Sequence, residues 1–288
     1  MTALPLFVEL CAGTAALSLR LHGGKSARPP VSRMGNKQGY AAAILRCLGL
    51  RSGSGAARYL WCEPDDGCRL LLTSYTDADL RSKAAEIIRS WADQDPRKLW
   101  ERLRAEGPVK SPPVDPREVA RWLTVTGNCA FNSDPWRSHK SGGRGAFDAI
   151  HGDGNGRDIA KFASSLSTLP TLPASILPDA RAVDPPQLPP GSVVYIDPPY
   201  VNTTGYAHDL GREAVCELAE RWASAGAWVV ISEAEPLAEL GWHQVEITGE
   251  RVGQKRTFSK QQREYLTMSR PPLWRPSEQR TLFTMAAK

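Results

Sequence analysis

An α/β fold with a largely parallel sheet is the class this sequence predicts, and three observations predict it. Short apolar runs alternate with amphipathic helical stretches over much of the 288 residues, as in β-α-β units. The last two apolar runs, HQVEIT and REYLTMSR, read as an antiparallel strand pair at the C-terminal end. Between about 80 and 160 the alternation lapses into helix and loop. That stretch reads as an inserted helical/loop lobe, 81–160, within a sheet domain made of 1–80 and 161–288.

Each element follows from local pattern. The apolar stretch at 6–10 predicts the first strand, and GTAALSLRLHG a turn entering a helix that ends near Gly23-Gly24. KSARPPVSRMGNKQG is loop-like and leads into the Ala/Leu-rich helix YAAAILRCLGL, stopped near Gly49. RYLWCEP, 58–64, is the second strand. Residues 65–94 read as helical in two pieces. DPRKLWERLRAEG and DPREVARWLTVTG each open on Asp-Pro, with Asp as N-cap and Pro in the first turn. From Gly127 to Gly156 the pattern dissolves into a long polar, Gly-rich stretch, and loops of this length are often functional. RDIAKFASSLSTL is a helix, and 170–190, with seven of the 23 prolines, an extended connector holding one short strand. VVYID and AWVVISEA are strands flanking the helix REAVCELAERWASAG.

Composition bounds the class. With 41% hydrophobic and 23% charged residues, the chain is ordinary for a soluble globular protein. No apolar run approaches the roughly 20 residues needed to span a bilayer. The N-terminal MTALPLFVEL has no basic region, so no signal peptide is expected and a cytoplasmic location is. The six cysteines and five histidines are dispersed, without C-x-x-C pairs or metal-ligand spacing. The net charge of +5 is mild, but the segment from Val245 to Lys288 has nine Lys/Arg against four Glu. A basic stripe of that kind suits a polyanion such as nucleic acid, or simply a solvated face.

Three strand ends carry candidate chemistry, where open α/β sheets bind ligands. In FVELCAGTAAL, Gly13 with the small Ala12, Thr14 and Ala15 lets backbone approach a ligand closely. At the next strand end, Glu63 can take both ribose hydroxyls of a nucleoside-like cofactor, or serve as a charge partner for the following helix N-terminus. The third end is Asp197-Pro198-Pro199-Tyr200. Two prolines stop the strand, leave its last carbonyls free and hold the Asp197 carboxylate as a rigid acceptor. Tyr200 adds a flat face. Acceptors beside an aromatic platform describe a pocket for an exocyclic amine on a planar ring.

These residues resemble a family, the Dam-like DNA adenine-N6 methyltransferases of the S-adenosylmethionine-dependent amino-methyltransferase class. DPPY at 197–200 matches that family's catalytic tetrapeptide. FVELCAGTAAL is similar to its cofactor loop, CEPD (62–65) to its ribose-binding strand end and SRMGNKQGYAAAI (32–44) to its G-x-K motif. REYLTMS is similar to a segment of its last strands. The resemblance covers roughly 1–75 and 180–270. It implies a Rossmann-like methyltransferase sheet, with catalytic roles for Asp197, Pro198, Pro199 and Tyr200. Cofactor contacts are implied for Phe7, Glu9, Cys11, Ala12, Gly13, Thr14, Ala15, Met34, Gly35, Lys37, Glu63 and Asp197.

Two departures stand out. The G-x-K motif follows the cofactor loop here rather than preceding it, which accounts for the 50-residue separation of Gly13 from Glu63. The loop also has Ala15 where the family has its second glycine, a change that costs little if that residue keeps negative φ.

The resemblance implies methyl transfer to adenine N6 in double-stranded DNA, with the base flipped out and stacked on Tyr200, and without metal or an obligatory protein partner. The stretch FNSDPWRSHKSGGRGAF interleaves Phe131, Trp136 and Phe147 with Arg137, Lys140 and Arg144. Cations of this kind can read guanine edges or hold phosphates. By analogy Asn128, Arg137, Lys140 and Arg144 are DNA contacts, and a surface loop rooted by core aromatics is the plain alternative. Rival readings are cytosine-N4 methylation, methylation of RNA or of a protein glutamine, and a DNA-binding protein with a decayed methyltransferase fold.

Overall fold

The computed structural model describes residues 5–31, 37–55, 57–110, 114–129, 134–136, 146–147, 159–199, 210–247 and 264–275. Seven strands form one sheet: β1 (Leu6–Leu10), β2 (Arg58–Cys62), β3 (Ala174–Leu177), β4 (Val193–Ile196), β5 (Trp228–Glu233), β6 (His243–Ile247) and β7 (Glu264–Met268). Their spatial order is β3-β2-β1-β4-β5-β7-β6. All neighbours are parallel except β7, which runs antiparallel to both β5 and β6. The fold is therefore α/β and Rossmann-like, with the expected antiparallel pair at its C-terminal side. Chain direction across the sheet reverses between β1 and β4, which makes the crevice above their carboxyl ends the topological switch point.

Eight α-helices accompany the strands among the described residues: α1 (Ala16–Gly23), α2 (Ala41–Cys47), α3 (Asp66–Thr76), α4 (Ala78–Ser90), α5 (Pro96–Ala105), α6 (Pro116–Gly127), α7 (Ile159–Ser167) and α8 (Arg212–Ser224). Both Asp-Pro starts behave as their chemistry dictates. Asp95 accepts the Lys98 N–H and Asp115 the Arg117 N–H, with proline in the first turn of each helix.

Strand alternation divides the core. Phe7, Tyr59, Trp61, Val193, Tyr195 and Val230 face one apolar layer, shared with helices α1 to α7. Val8, Leu10, Leu60, Val194, Ile196 and Ile231 face the other, covered by α8 through Val215, Leu218 and Trp222. The helices of the 81–160 stretch add Ala84, Ile88, Trp100, Leu103 and Trp122 to the first layer. Its described part thus shares a core with the sheet rather than building one of its own. Close approach is enforced at Gly67 of α3, where a Cβ would stand 1.8 Å from the Trp122 indole nitrogen on α6.

No helix among the described residues is long and apolar enough to cross a membrane. All six cysteines are free thiols. The basic residues at 276–288 lie outside the described residues.

Candidate active site at the carboxyl ends of the strands

β1 turns into α1 within five residues, and the turn alternates handedness to do so. Cys11, Gly13 and Ala15 all have positive φ, at 61°, 53° and 48°, and the Ala15 N–H returns to the Ala12 carbonyl at 2.8 Å. The condition under which alanine in place of glycine would cost little, a negative φ at Ala15, is therefore not met. Its left-handed backbone costs roughly 1–2 kcal/mol that a glycine would not incur. A Cβ built on Gly13 would meet no described atom within 4 Å, so space lies open over the loop there.

Glu63 follows β2 directly and ties this loop down. Its Oε2 accepts the Gly13 N–H at 2.6 Å and its Oε1 the Asp65 N–H at 2.9 Å. The 50 residues separating Gly13 from Glu63 in sequence thus close to one hydrogen bond, because β1 and β2 are parallel neighbours. The cap of α3 is Asp65, which accepts the Cys68 N–H at 2.8 Å.

Glu9 lies beneath the loop, 3% exposed, with Oε1 accepting the Ser18 N–H of α1 at 2.8 Å. Here its carboxylate anchors the helix to the strand. Burial pushes its pKa up to about 7, against the pull of the Ser18 hydrogen bonds. The folded-state value exceeds the unfolded one, so Glu9 contributes stability at low pH that is lost as pH rises through about 7. Glu9→Gln keeps the acceptor and removes the charge. Its stability relative to wild type is expected to improve by roughly 3 kcal/mol on going from acid to about pH 8. Urea unfolding at both ends of that range checks this, and a pH-independent difference would refute it.

At the end of β4, Asp197 still donates its N–H to the Leu10 carbonyl at 3.2 Å. Pro198 then ends the ladder, having no N–H to give, and no described residue donates to its carbonyl. Lys37 lies in a short 3₁₀ turn just ahead of α2. It is 5% exposed and places Nζ 2.6 Å from Asp197 Oδ1 and 3.7 Å from Glu264 Oε1. Glu264, the first residue of β7, also accepts the Ser232 hydroxyl of β5. Burial raises the Asp197 carboxyl to about 6; Lys37 opposes that rise and Glu264 adds to it.

Of the expected site residues, Phe7, Glu9, Cys11, Ala12, Gly13, Thr14, Ala15, Lys37, Glu63, Asp197, Pro198 and Pro199 lie at or beneath this edge of the sheet. Lys37, expected at the cofactor, reaches the Asp197 carboxylate. Phe7 is core, edge-to-face with Tyr59. Asn128 is 1% exposed and donates Nδ2–H to the Thr124 carbonyl at 2.9 Å. In that position it caps α6 inside the fold. Trp136 donates its indole N–H to the Arg104 carbonyl, and Phe147 packs on Trp100, as core aromatics rooting a loop would. Tyr200, Met34, Gly35, Arg137, Lys140 and Arg144 lie outside the described residues.

Two groups escaped the sequence reading. Glu264 sits in the quoted REYLTMS segment without a role, and Glu233 ends β5 as Asp197 follows β4. An acid closing an apolar strand was the available signal for Glu233.

No protein-family model matches the chain, and no curated protein matches it. Fold and site together define a Rossmann-like α/β protein whose strand ends carry the carboxylates of Glu63, Asp197, Glu233 and Glu264, with the buried ammonium of Lys37 set between Asp197 and Glu264.

Proposed function

We propose that this protein is an S-adenosylmethionine-dependent DNA methyltransferase acting on the exocyclic N6 amine of adenine in a flipped-out base. The observation that carries the reading is the Asp197-Pro198 corner at the switch point. It pairs a carboxylate fixed by Lys37 with a backbone carbonyl to which no described residue donates. The antiparallel β7 between β5 and β6, and the Gly13–Glu63 hydrogen bond joining two strand ends, fit the same resemblance.

The residues present fit the cofactor. Open space over Gly13 admits a ligand close to backbone, and Glu63 beside it is the group that would take the ribose. When bound, S-adenosylmethionine supplies a methyl carbon already activated by its sulfonium. The protein's own part concerns the amine. An adenine N6 lone pair is delocalised into the ring, so the amine must be held pyramidal. Asp197 accepts one N–H and the Pro198 carbonyl the other, which stabilises the positive charge that grows on nitrogen. Asp197 is also the acceptor in place for the proton the amine sheds. Tyr200 is the stacking partner for the extruded base, and most of the remaining demand is orientation.

Expression in a methylation-deficient host tests the reading. Digestion of the host DNA to nucleosides for mass spectrometry is expected to give N6-methyladenine. N4-methylcytosine alone would move the activity to the other amine. With neither base modified, and no S-adenosylmethionine binding by calorimetry, the proposal falls in favour of a decayed fold.

A further inference from the structure

Four strand ends bear carboxylates, and the function above uses Glu63 and Asp197 directly, with Glu264 holding Lys37. Glu233 is left over. It is the last residue of β5 and only 6% exposed. Parallel pairing of Ile196 with Ile231, carried two residues further, sets Ser232 beside Asp197 and Glu233 beside Pro198. Glu233 thus lies on the β4–β5 side of the crevice, away from the β1–β2 loop that would take the cofactor.

Its neighbours are committed elsewhere. The Arg212 guanidinium of α8 is bound to the Glu239 carboxylate and the Pro236 carbonyl. Lys37 is held between Asp197 and Glu264. Among the described residues, the Ala234 N–H alone bonds the Glu233 carboxyl. A buried carboxyl with one backbone hydrogen bond has strong capacity in reserve, and buried polar groups are normally satisfied.

We propose that Glu233 is a specificity-determining residue for the acceptor: as the neutral acid it donates its O–H to the ring nitrogen next to the amine that Asp197 and Pro198 grip. This rests on the amine-methyltransferase reading and names the acceptor class, an amino-substituted ring whose adjacent nitrogen carries no proton. Adenine has this edge. Thymine and guanine present a ring N–H there, which an O–H donor rejects. The charges around Glu233 suit the neutral form. Burial raises its carboxyl to about 7, the Ala234 N–H opposes this, Asp197 adds to it, and Lys37 and Arg212 draw it back. On β7 the residue opposite Glu233 is Tyr265, and the neighbouring Glu264 is occupied by Lys37 and Ser232. A ring nitrogen accepting from the acid form would favour that form further, so acceptor binding takes up a proton.

The test is a chemical cycle on random-sequence duplex DNA prepared with adenine or with 1-deazaadenine, which has C–H in place of the ring nitrogen. Wild type is expected to prefer adenine roughly ten- to hundredfold in kcat/KM, and Glu233→Ala to lose the preference. Glu233→Gln, still a donor, should recover part of it. In mobility shifts without cofactor, wild-type affinity for adenine duplex should weaken as pH rises past about 7, whereas that of E233Q stays level. Wild-type methylation that is indifferent to the deaza substitution, or an E233A variant that keeps the preference, overturns the role of Glu233 alone. Absence of methyl transfer to any DNA by wild type overturns the enzymatic reading and this role with it.

Discussion

Replacing Asp197 with alanine is expected to lower methyl transfer by about 10²–10³-fold, equivalent to roughly 3–4 kcal/mol of transition-state stabilisation, while leaving DNA affinity within a few-fold of wild type. In the proposed reaction the carboxylate is the charged acceptor at the switch point, and it would face the amine where positive charge develops. Its loss should therefore appear in single-turnover methylation and hardly in mobility shifts, because phosphate contacts dominate affinity. Asp197→Asn separates charge from shape. The amide oxygen can still accept an N–H and the Lys37 Nζ–H, so D197N should lie between wild type and D197A. Its dependence on pH should also differ. In wild type the acid limb should reflect ionisation of Asp197 near about 6, with activity expected to fall as pH drops through that value. D197N has no carboxyl to protonate, so that limb should vanish. D197A activity within tenfold of wild type would remove Asp197 from the chemistry, and an unchanged acid limb in D197N would assign it to another group.

Much of the architecture was legible in the sequence because it is specified locally. Short apolar runs, Asp-Pro helix starts and the Pro-Pro stop after Asp197 each act within a few residues, and the observed elements follow them closely. β3 was faint, being four residues in a proline-rich connector, three of them half-buried and one exposed. Backbone handedness was not legible at all. Ala15 has no side-chain reason to adopt positive φ, and only the need to turn β1 into α1 beneath the Glu63 carboxylate imposes it.

Part of the candidate site was legible as single residues, but its partnerships were not. Asp197 and Glu63 announce themselves as acids closing apolar strands. That Lys37, 160 positions from Asp197, closes on it to 2.6 Å depends on β1 and β4 being neighbours, with the segment leading into α2 reaching over their ends. Glu264 meets Lys37 only because β7 reverses direction, bringing its first residue to the edge where the parallel strands finish. Asn128 has a partnership of the same hidden kind. A polar residue at the mouth of a basic loop reads as a contact, yet a helix C-terminus needs its carbonyls satisfied, and Asn128 serves the Thr124 carbonyl.

Removal of the Lys37 charge is expected to have the largest effect on stability. Its ammonium is nearly fully buried between Asp197 and Glu264. Breaking a buried pair by removing one partner typically costs about 3–5 kcal/mol, since the charge left behind keeps its desolvation penalty. Lys37→Met preserves much of the stem volume and deletes the charge, which isolates this cost. Its dependence on pH follows from linkage. Lys37 now draws the Asp197 carboxyl down, so without it the folded-state value rises above about 6. A carboxyl raised in the folded state contributes stability at low pH that is lost as pH rises through the folded value. The deficit of K37M should thus be small near about pH 4, where the carboxyl is protonated, and approach its full size by about pH 8. The acid limb of methylation should move to higher pH in the same variant. Lys37→Arg retains charge, but a planar fork replaces a compact ammonium in a site sized for the latter. It should restore the pH profile better than the stability. Urea unfolding across this pH range decides: a K37M deficit equally large at both ends would mean that packing of the lysine stem, not the ion pair, secures this corner of the sheet.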